Sequence, residues 1–225
     1  METVFQKIYD QNLWKGKESR SGLGSDLEKT FLLRQVLPRF LSRLNVRSVL
    51  DAPCGDLHWL KTVKLNLDQY WGVDIVKQVV EKNHRLELPF AAKFLHADIT
   101  KDDLPAADLI LSRDGLVHLS LLNILQALDK FKKTNARYLL TTHYPSIDEN
   151  FEIEDGWWRP INLLRPPFSL PRPIDMLDEM VDGKQLFLWD LQSVEINIDQ
   201  AVIERSRKIS LDATAINLMT SELIT

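Results

Sequence analysis

The chain predicts an α/β fold, a doubly wound and mostly parallel sheet with helices on both faces. Three features point to it. Short apolar runs at residues 48–52, 70–75, 92–97, 109–112 and 137–142 have the near-continuous hydrophobicity of strands buried on both faces. Helical patterns fill the gaps, most clearly at residues 76–83 and 119–132, and this alternation builds parallel sheets with right-handed crossovers. Acids close the first three strands (Asp51, Asp74 and Asp98), at the strand ends where open α/β sheets bind their ligands.

With 225 residues, 44% hydrophobic and 27% charged, the composition is that of one globular domain. Four parts are expected within it: N-terminal helices and a flap (1–45), a ligand-binding core (46–145), a site-flanking segment with the last strands (146–192) and a C-terminal extension (193–225). A formal net charge of −4 gives no nucleic-acid footprint. The basic cluster Lys130-Phe131-Lys132-Lys133 falls at an expected helix C-terminus, where cations complement the helix dipole. One cysteine, Cys54, permits no internal disulfide and no cysteine-rich zinc site, and no metal is indicated. No apolar run approaches the ~20 residues that span a bilayer, and no signal peptide opens the chain. The expectation is a soluble protein of a reducing, cytoplasmic compartment, with its oligomeric state unspecified.

In chain order, residues 4–12 read as a short helix, followed by Trp14 and the Gly/Ser loop that holds Ser21 and Gly22. Such a loop permits a close, mobile backbone and suggests a flap, a solvated loop being the alternative. Residues 26–44 form an amphipathic helix through Leu27, Phe31, Leu37 and Phe40, with Pro38 a candidate kink. Arg34 on this helix is a candidate bidentate donor to a ligand carboxylate.

The first strand then runs into Asp51-Ala52-Pro53-Cys54-Gly55-Asp56, followed by a helix-like run at 57–64. A dinucleotide turn wants three glycines to bring the backbone against a pyrophosphate. This one has a single glycine, Gly55, and suits a nucleoside ligand without phosphates, which points to S-adenosyl-L-methionine. Asp74 can then accept both ribose hydroxyls, and Asp98 the exocyclic amine of adenine. The plainer readings are caps, with Asp56 and Asp98 opening helices.

Past the fourth strand stand Arg113, Asp114 and His118. Methyl transfer to a hydroxyl needs alignment and a base, and Asp114 or His118 can serve. Spaced one helical turn apart, the acid could orient the imidazole. His143, closing the fifth strand, is a rival base. Residues 145–173 are too rich in proline for a regular helix and too aromatic for disorder. Within them, Trp157, Trp158, Arg159 and Asn162 suit an acceptor wall: aromatic faces for a sugar or planar ring, and directional donors beside them. A Trp-rich cap on the sheet edge is the alternative. A short helix at 174–180 and a strand at 186–191 follow; the alternating Val194, Ile196 and Ile198 and the amphipathic pattern after them suggest a further strand plus helix, or a partner-binding tail.

Val49-Leu50-Asp51-Ala52-Pro53-Cys54-Gly55, Gly72-Val73-Asp74-Ile75-Val76, His96-Ala97-Asp98-Ile99 and Asp108-Leu109-Ile110-Leu111-Ser112-Arg113-Asp114 resemble motifs one to four of the class I S-adenosylmethionine-dependent methyltransferases, over about residues 20–192. The resemblance implies a seven-stranded Rossmann-like sheet whose last strand is antiparallel. It also implies that Asp51 and Gly55 line the methionine end, Asp74 the ribose and Asp98 the adenine, with Ala52, Pro53, Ile75, Ile99 and Arg113 as further cofactor-binding candidates. Ala52-Pro53-Cys54 departs from the family's glycine-rich turn. Asp-Ala-Pro-Cys-Gly-Asp together with Arg-Asp-Gly-Leu-Val-His-Leu resembles a narrower subgroup of methyltransferase domains found beside glycosyltransferases, including in large algal viruses, where sugar hydroxyls are the acceptors. An O-methyltransferase acting on a glycan sugar is therefore expected. The alternatives are methylation of a small metabolite at oxygen or nitrogen, or a non-catalytic scaffold.

Overall fold

The computed structural model describes residues 1–198 and contains one seven-stranded sheet. Its strands are β1 (Ser48–Asp51), β2 (Gln69–Asp74), β3 (Ala92–His96), β4 (Leu109–Ser112), β5 (Tyr138–His143), β6 (Asp175–Val181) and β7 (Lys184–Asp190). The order is β3-β2-β1-β4-β5-β7-β6, with β1 to β5 parallel and β7 antiparallel to both its neighbours. This is the expected doubly wound, Rossmann-like sheet. The order reverses between β1 and β4, which opens a crevice at the carboxyl ends of those strands.

Four helices accompany the sheet: α1 (Glu2–Gln11), α2 (Phe31–Arg43), α3 (Lys77–Asn83) and α4 (Leu121–Lys133). Alternate residues of each central strand serve opposite faces. Leu50, Ile110 and Leu139 pack with Leu121, Ile124 and Leu128 of α4, whereas Val49, Leu111 and Leu140 pack with Leu33, Leu37 and Phe40 of α2. Two-sided burial is why the strands read as continuous apolar runs. Helix α2 passes through Pro38 without ending. In α4, Ser120 caps the N-terminus by accepting from Asn123 N, and Lys130, Lys132 and Lys133 occupy the last turn as the dipole requires.

Two expected helices differ. Residues 57–64 contain only the short 3-10 helix Leu60–Thr62, since Leu57 takes a left-handed φ of 55° that no helix start tolerates. Residues 174–180 form β6 instead. Asp182 (φ 55°) and Gly183 (φ 69°) make a two-residue turn that folds β6 back on β7, and the pairing overrides the helix-like spacing of Ile174 and Leu177.

The stretch between β5 and β6 lacks regular structure yet is anchored by buried Ile153, Ile161, Leu163, Phe168 and Leu170. It also caps α4, where Glu152 accepts from Leu121 N and Asp155 from Ser120 N, both at 2.8 Å. Val194 is buried and Ile196 and Ile198 pack against the same core. The strand expected from their alternation does not form, since residues 194–198 run on irregularly after the 3-10 helix Leu191–Ser193, and the helix expected after it lies outside the described residues. Among the described residues no helix is long and apolar enough to cross a membrane.

Candidate functional site

A cavity of about 980 Å³, counted to its open mouth, lies over the carboxyl ends of β1 to β4. Asp51, Pro53, Cys54 and Gly55 of the first turn, Asp74 and Ile75 after β2, Asp98 and Ile99 after β3, and Arg113, Asp114 and His118 after β4 all contribute to its walls. The N-terminal segment roofs it with Phe5, Tyr9, Trp14, Arg20 and Ser21. Ala52 and Gly22 stand back from the wall. Ala52 is buried in the core with its N–H donating to Leu111 O (2.9 Å), and Gly22 bends the roof at φ 98°.

Each acid has a distinct setting. Asp51 is buried beneath the turn, where Tyr70 Oη donates to it at 2.6 Å. Burial pushes its carboxyl up to about 7, with the Tyr70 hydrogen bond opposing and the Asp74 charge assisting. Asp74 accepts from Val76 N (2.9 Å) and Gly55 N (3.0 Å), which fixes the carboxylate plane; burial raises it to about 6 against these bonds. Asp98 accepts from Thr100 N (2.9 Å) and Thr100 Oγ1 (2.6 Å), an Asx turn that holds the acid at the rim.

Past β4 lies a buried charge cluster. Arg113 donates to Glu179 through Nε (3.1 Å) and Nη2 (2.6 Å), and Lys184 meets Asp114 at 2.5 Å. Arg113 Nη1 is 3.2 Å from Asp114, and Trp59 covers the guanidinium at 5.4 Å. Two cations and two anions balance, which makes such burial tolerable. Burial alone would raise Asp114, but Arg113 and Lys184 hold it down at about 2. With Thr142 Oγ1 also donating (3.2 Å), three donors surround the carboxylate, and its low proton affinity makes it a poor base.

His118 ends the 3-10 helix Leu116–His118, so the expected shared helical face with Asp114 does not form. Its Nδ1 lies 2.8 Å from Trp157 O. A carbonyl only accepts, so Nδ1 carries the proton and Nε2 the lone pair. Burial lowers the pKa of the ring and favours this neutral form.

Besides Ala52 and Gly22, six expected site residues lie outside the cavity wall: Trp157 and Trp158, and four that are buried or turned away. His143 is buried under Phe187, with ring centroids 4.1 Å apart, and accepts from Leu163 N at 3.1 Å through Nδ1. Its one lone pair is spent, and burial lowers it to about 4; it packs behind β5 and is no base. Arg159 is fully buried, donating to Phe151 O (2.8 Å) and Val117 O (3.3 Å). Asn162 is buried and ties its loop through Asn150 and Ile147 O. Both are struts, because an irregular buried backbone needs side-chain partners. Arg34 donates to Leu27 O (3.0 Å), away from the cavity. Trp157 and Trp158 do stand out, 62% and 55% exposed. Tyr70, Glu179 and Lys184 are site-forming groups that the sequence reading missed. Among the described residues no three His, Cys, Asp or Glu side chains converge as a metal cluster.

No protein-family model matches this chain, and no curated protein does. Solved structures do. The chain is similar to the N-methyltransferase NodS from Bradyrhizobium japonicum WM9, at 14% identity over 73% of this chain and 97% of that one, with a TM-score of 0.53. It is similar to the magnesium protoporphyrin IX methyltransferase ChlM from Synechocystis PCC 6803, solved with bound SAH, at 10% identity over 76% and 84%, TM-score 0.52. The methyltransferase domain of bacterial CtHen1-CN matches at 15% identity over 73% and 100%, TM-score 0.50. The fold is thus a Rossmann-like methyltransferase fold.

Proposed function

We propose that this chain is an S-adenosyl-L-methionine-dependent O-methyltransferase whose acceptor is a sugar hydroxyl. The observation that carries the reading is the convergence of Asp51, Asp74 and Asp98 on one cavity, with the His118 imidazole in the same wall. The donor set fits this cofactor. The acids at the strand ends, Asp98 most directly, suit a ligand that bears an ammonium and a sulfonium better than one that bears phosphates. Asp74 has lone pairs left for ribose hydroxyls beyond those given to Val76 N and Gly55 N. Ile75 and Ile99 offer apolar faces to adenine beside Asp98. When bound, the cofactor supplies an electrophilic methyl group.

The chain's own task is to place the acceptor and take its proton. His118 Nε2 is the acceptor of that proton, and Asp114, held ionised by Lys184 and Arg113, stabilises the imidazolium that results. The roof keeps bulk water from the reacting centre. The similar structures act on chemically different acceptors, so the fold does not choose one. The exposed pair Trp157 and Trp158 supports a sugar, since Trp157 O itself anchors His118 and aromatic faces stack on sugar rings.

Calorimetry with S-adenosylhomocysteine, followed by methyl transfer to methyl glycosides of deoxysugars, tests the reading. His118→Gln is expected to lower turnover about 10²–10⁴-fold with cofactor affinity unchanged. Unchanged turnover, or a parallel loss of affinity, would sink the base assignment. Absence of cofactor binding would sink the whole proposal.

A further inference from the structure

Trp14 lies far from the strand ends in sequence, yet its indole rests flat on the His118 ring, centroids 4.2 Å apart at 24°. Its Nε1–H donates to Gly156 O (3.2 Å), Gly156 N–H donates to His118 O (2.8 Å), and His118 Nδ1–H donates to Trp157 O (2.8 Å). Phe5 braces the indole edge-on at 6.1 Å. One edge of the imidazole is therefore fixed by a hydrogen bond and one face by the indole. The indole belongs to the roof, which is pinned to the first-strand turn where Ser19 Oγ donates to Asp56 (2.8 Å) and Asp56 N–H donates to Ser21 Oγ (2.9 Å).

We propose that Trp14 is a positioning residue: its stacked face fixes the plane of His118 and so keeps Nδ1–H on Trp157 O, the bond that sets the tautomer, and the base is ordered only while the N-terminal segment is closed over the cavity. This rests on reading His118 as the base. The charged groups that act on the ring are Asp114, which favours its cation, and Arg159 and Lys184, which oppose it; burial outweighs them all and keeps the ring neutral. A mobile imidazole exposed to water would sample both tautomers and lose that bias.

The test reads His118 directly and needs no acceptor. Long-range ¹H–¹⁵N correlation spectra of the full chain are recorded across pH, with and without S-adenosylhomocysteine, for wild type, Trp14→Phe and Trp14→Leu. The wild type is expected to show one Nδ1–H tautomer, with ring protons shifted upfield by the indole. Trp14→Phe should keep the tautomer. Trp14→Leu should show mixed tautomers and a titration midpoint moved up toward ordinary histidine. An unaltered tautomer and midpoint in Trp14→Leu would overturn the proposal. If that variant does not fold, unshifted His118 ring protons in the wild type would overturn it equally. Full turnover in His118→Gln would instead overturn the base reading and leave the spectra unaffected, so the two failures are distinguishable.

Discussion

Asp74 offers the sharpest test of the proposed cofactor site. Its carboxylate gives one lone pair each to Val76 N and Gly55 N, at 2.9 and 3.0 Å. A carboxylate has about four acceptor positions, so two remain for the ribose hydroxyls. A hydrogen bond to a charged group contributes about 1.5–3 kcal/mol, and two at the lower end sum to about 3 kcal/mol. At about 1.4 kcal/mol per decade, Asp74→Ala should weaken S-adenosylhomocysteine binding by about 150-fold. Asp74→Asn should do no better, because its amide NH₂ would face Gly55 N–H or Val76 N–H, donor against donor. Titration calorimetry measures the affinity, and thermal unfolding checks that each variant is folded. A folded Asp74→Ala that binds within about threefold of wild type would refute the ribose assignment.

Three further outcomes follow from the same geometry. Glu179→Ala strands Arg113 in a buried site and should cost about 3–5 kcal/mol, read as a lower urea midpoint; a loss under about 1 kcal/mol would show that the pair is not structural. Asp51, raised to about 7 by burial, favours the protonated form in the folded protein, so its contribution to stability is full below the ordinary carboxylate range near 4 and is lost as pH rises through 7. His143, lowered to about 4, acts in the opposite sense below its ordinary range, so the test is a difference: without ligand, Asp51→Asn should gain on wild type between about pH 4 and 7, by up to about 4 kcal/mol, and a flat difference would contradict the burial argument. Trp157→Ala should raise KM for a glycoside acceptor about tenfold with kcat nearly unchanged, because the backbone carbonyl that anchors His118 survives; an unaltered KM would remove the sugar platform.

The strands and their terminal acids were legible because their burial is a local property: a strand covered on both faces must be apolar throughout, and an acid that ends it stands out. Residues 174–180 misled because Ile174 and Leu177 carry helical spacing, although the chain does hold the deciding signal, the Asp182-Gly183 pair that hairpins demand. Arg159 and Asn162 looked like ligand donors because polar residues among tryptophans usually face solvent. Here they serve carbonyls and amides of their own irregular loop, a need that appears only once the loop is folded. His143 failed for a similar reason: the β5–β7 pairing brings Phe187 over it, and no local pattern announces that contact. Glu179 and Lys184 carried no signal at all, since they come from the last two strands and meet Arg113 and Asp114 only across the sheet.

The unusual first turn is explained by what docks on it. In a dinucleotide fold, glycines make room for a pyrophosphate. Here Cys54 N bonds Val73 O (2.8 Å), Asn83 Nδ2 donates to Gly55 O (2.8 Å), and Asp74 takes Gly55 N, so side chains and neighbouring strands hold the turn. The one glycine kept has φ 56°, and a Cβ there would stand 2.5 Å from Ser21 Oγ. Gly55 therefore leaves room for the roof rather than for a phosphate. The same turn that lines the cavity thus seats the segment carrying Trp14, and Trp14 stacks on His118. The missing glycine-rich loop has a physical counterpart: a rigid turn whose outer surface anchors the roof and, through it, the proposed base His118.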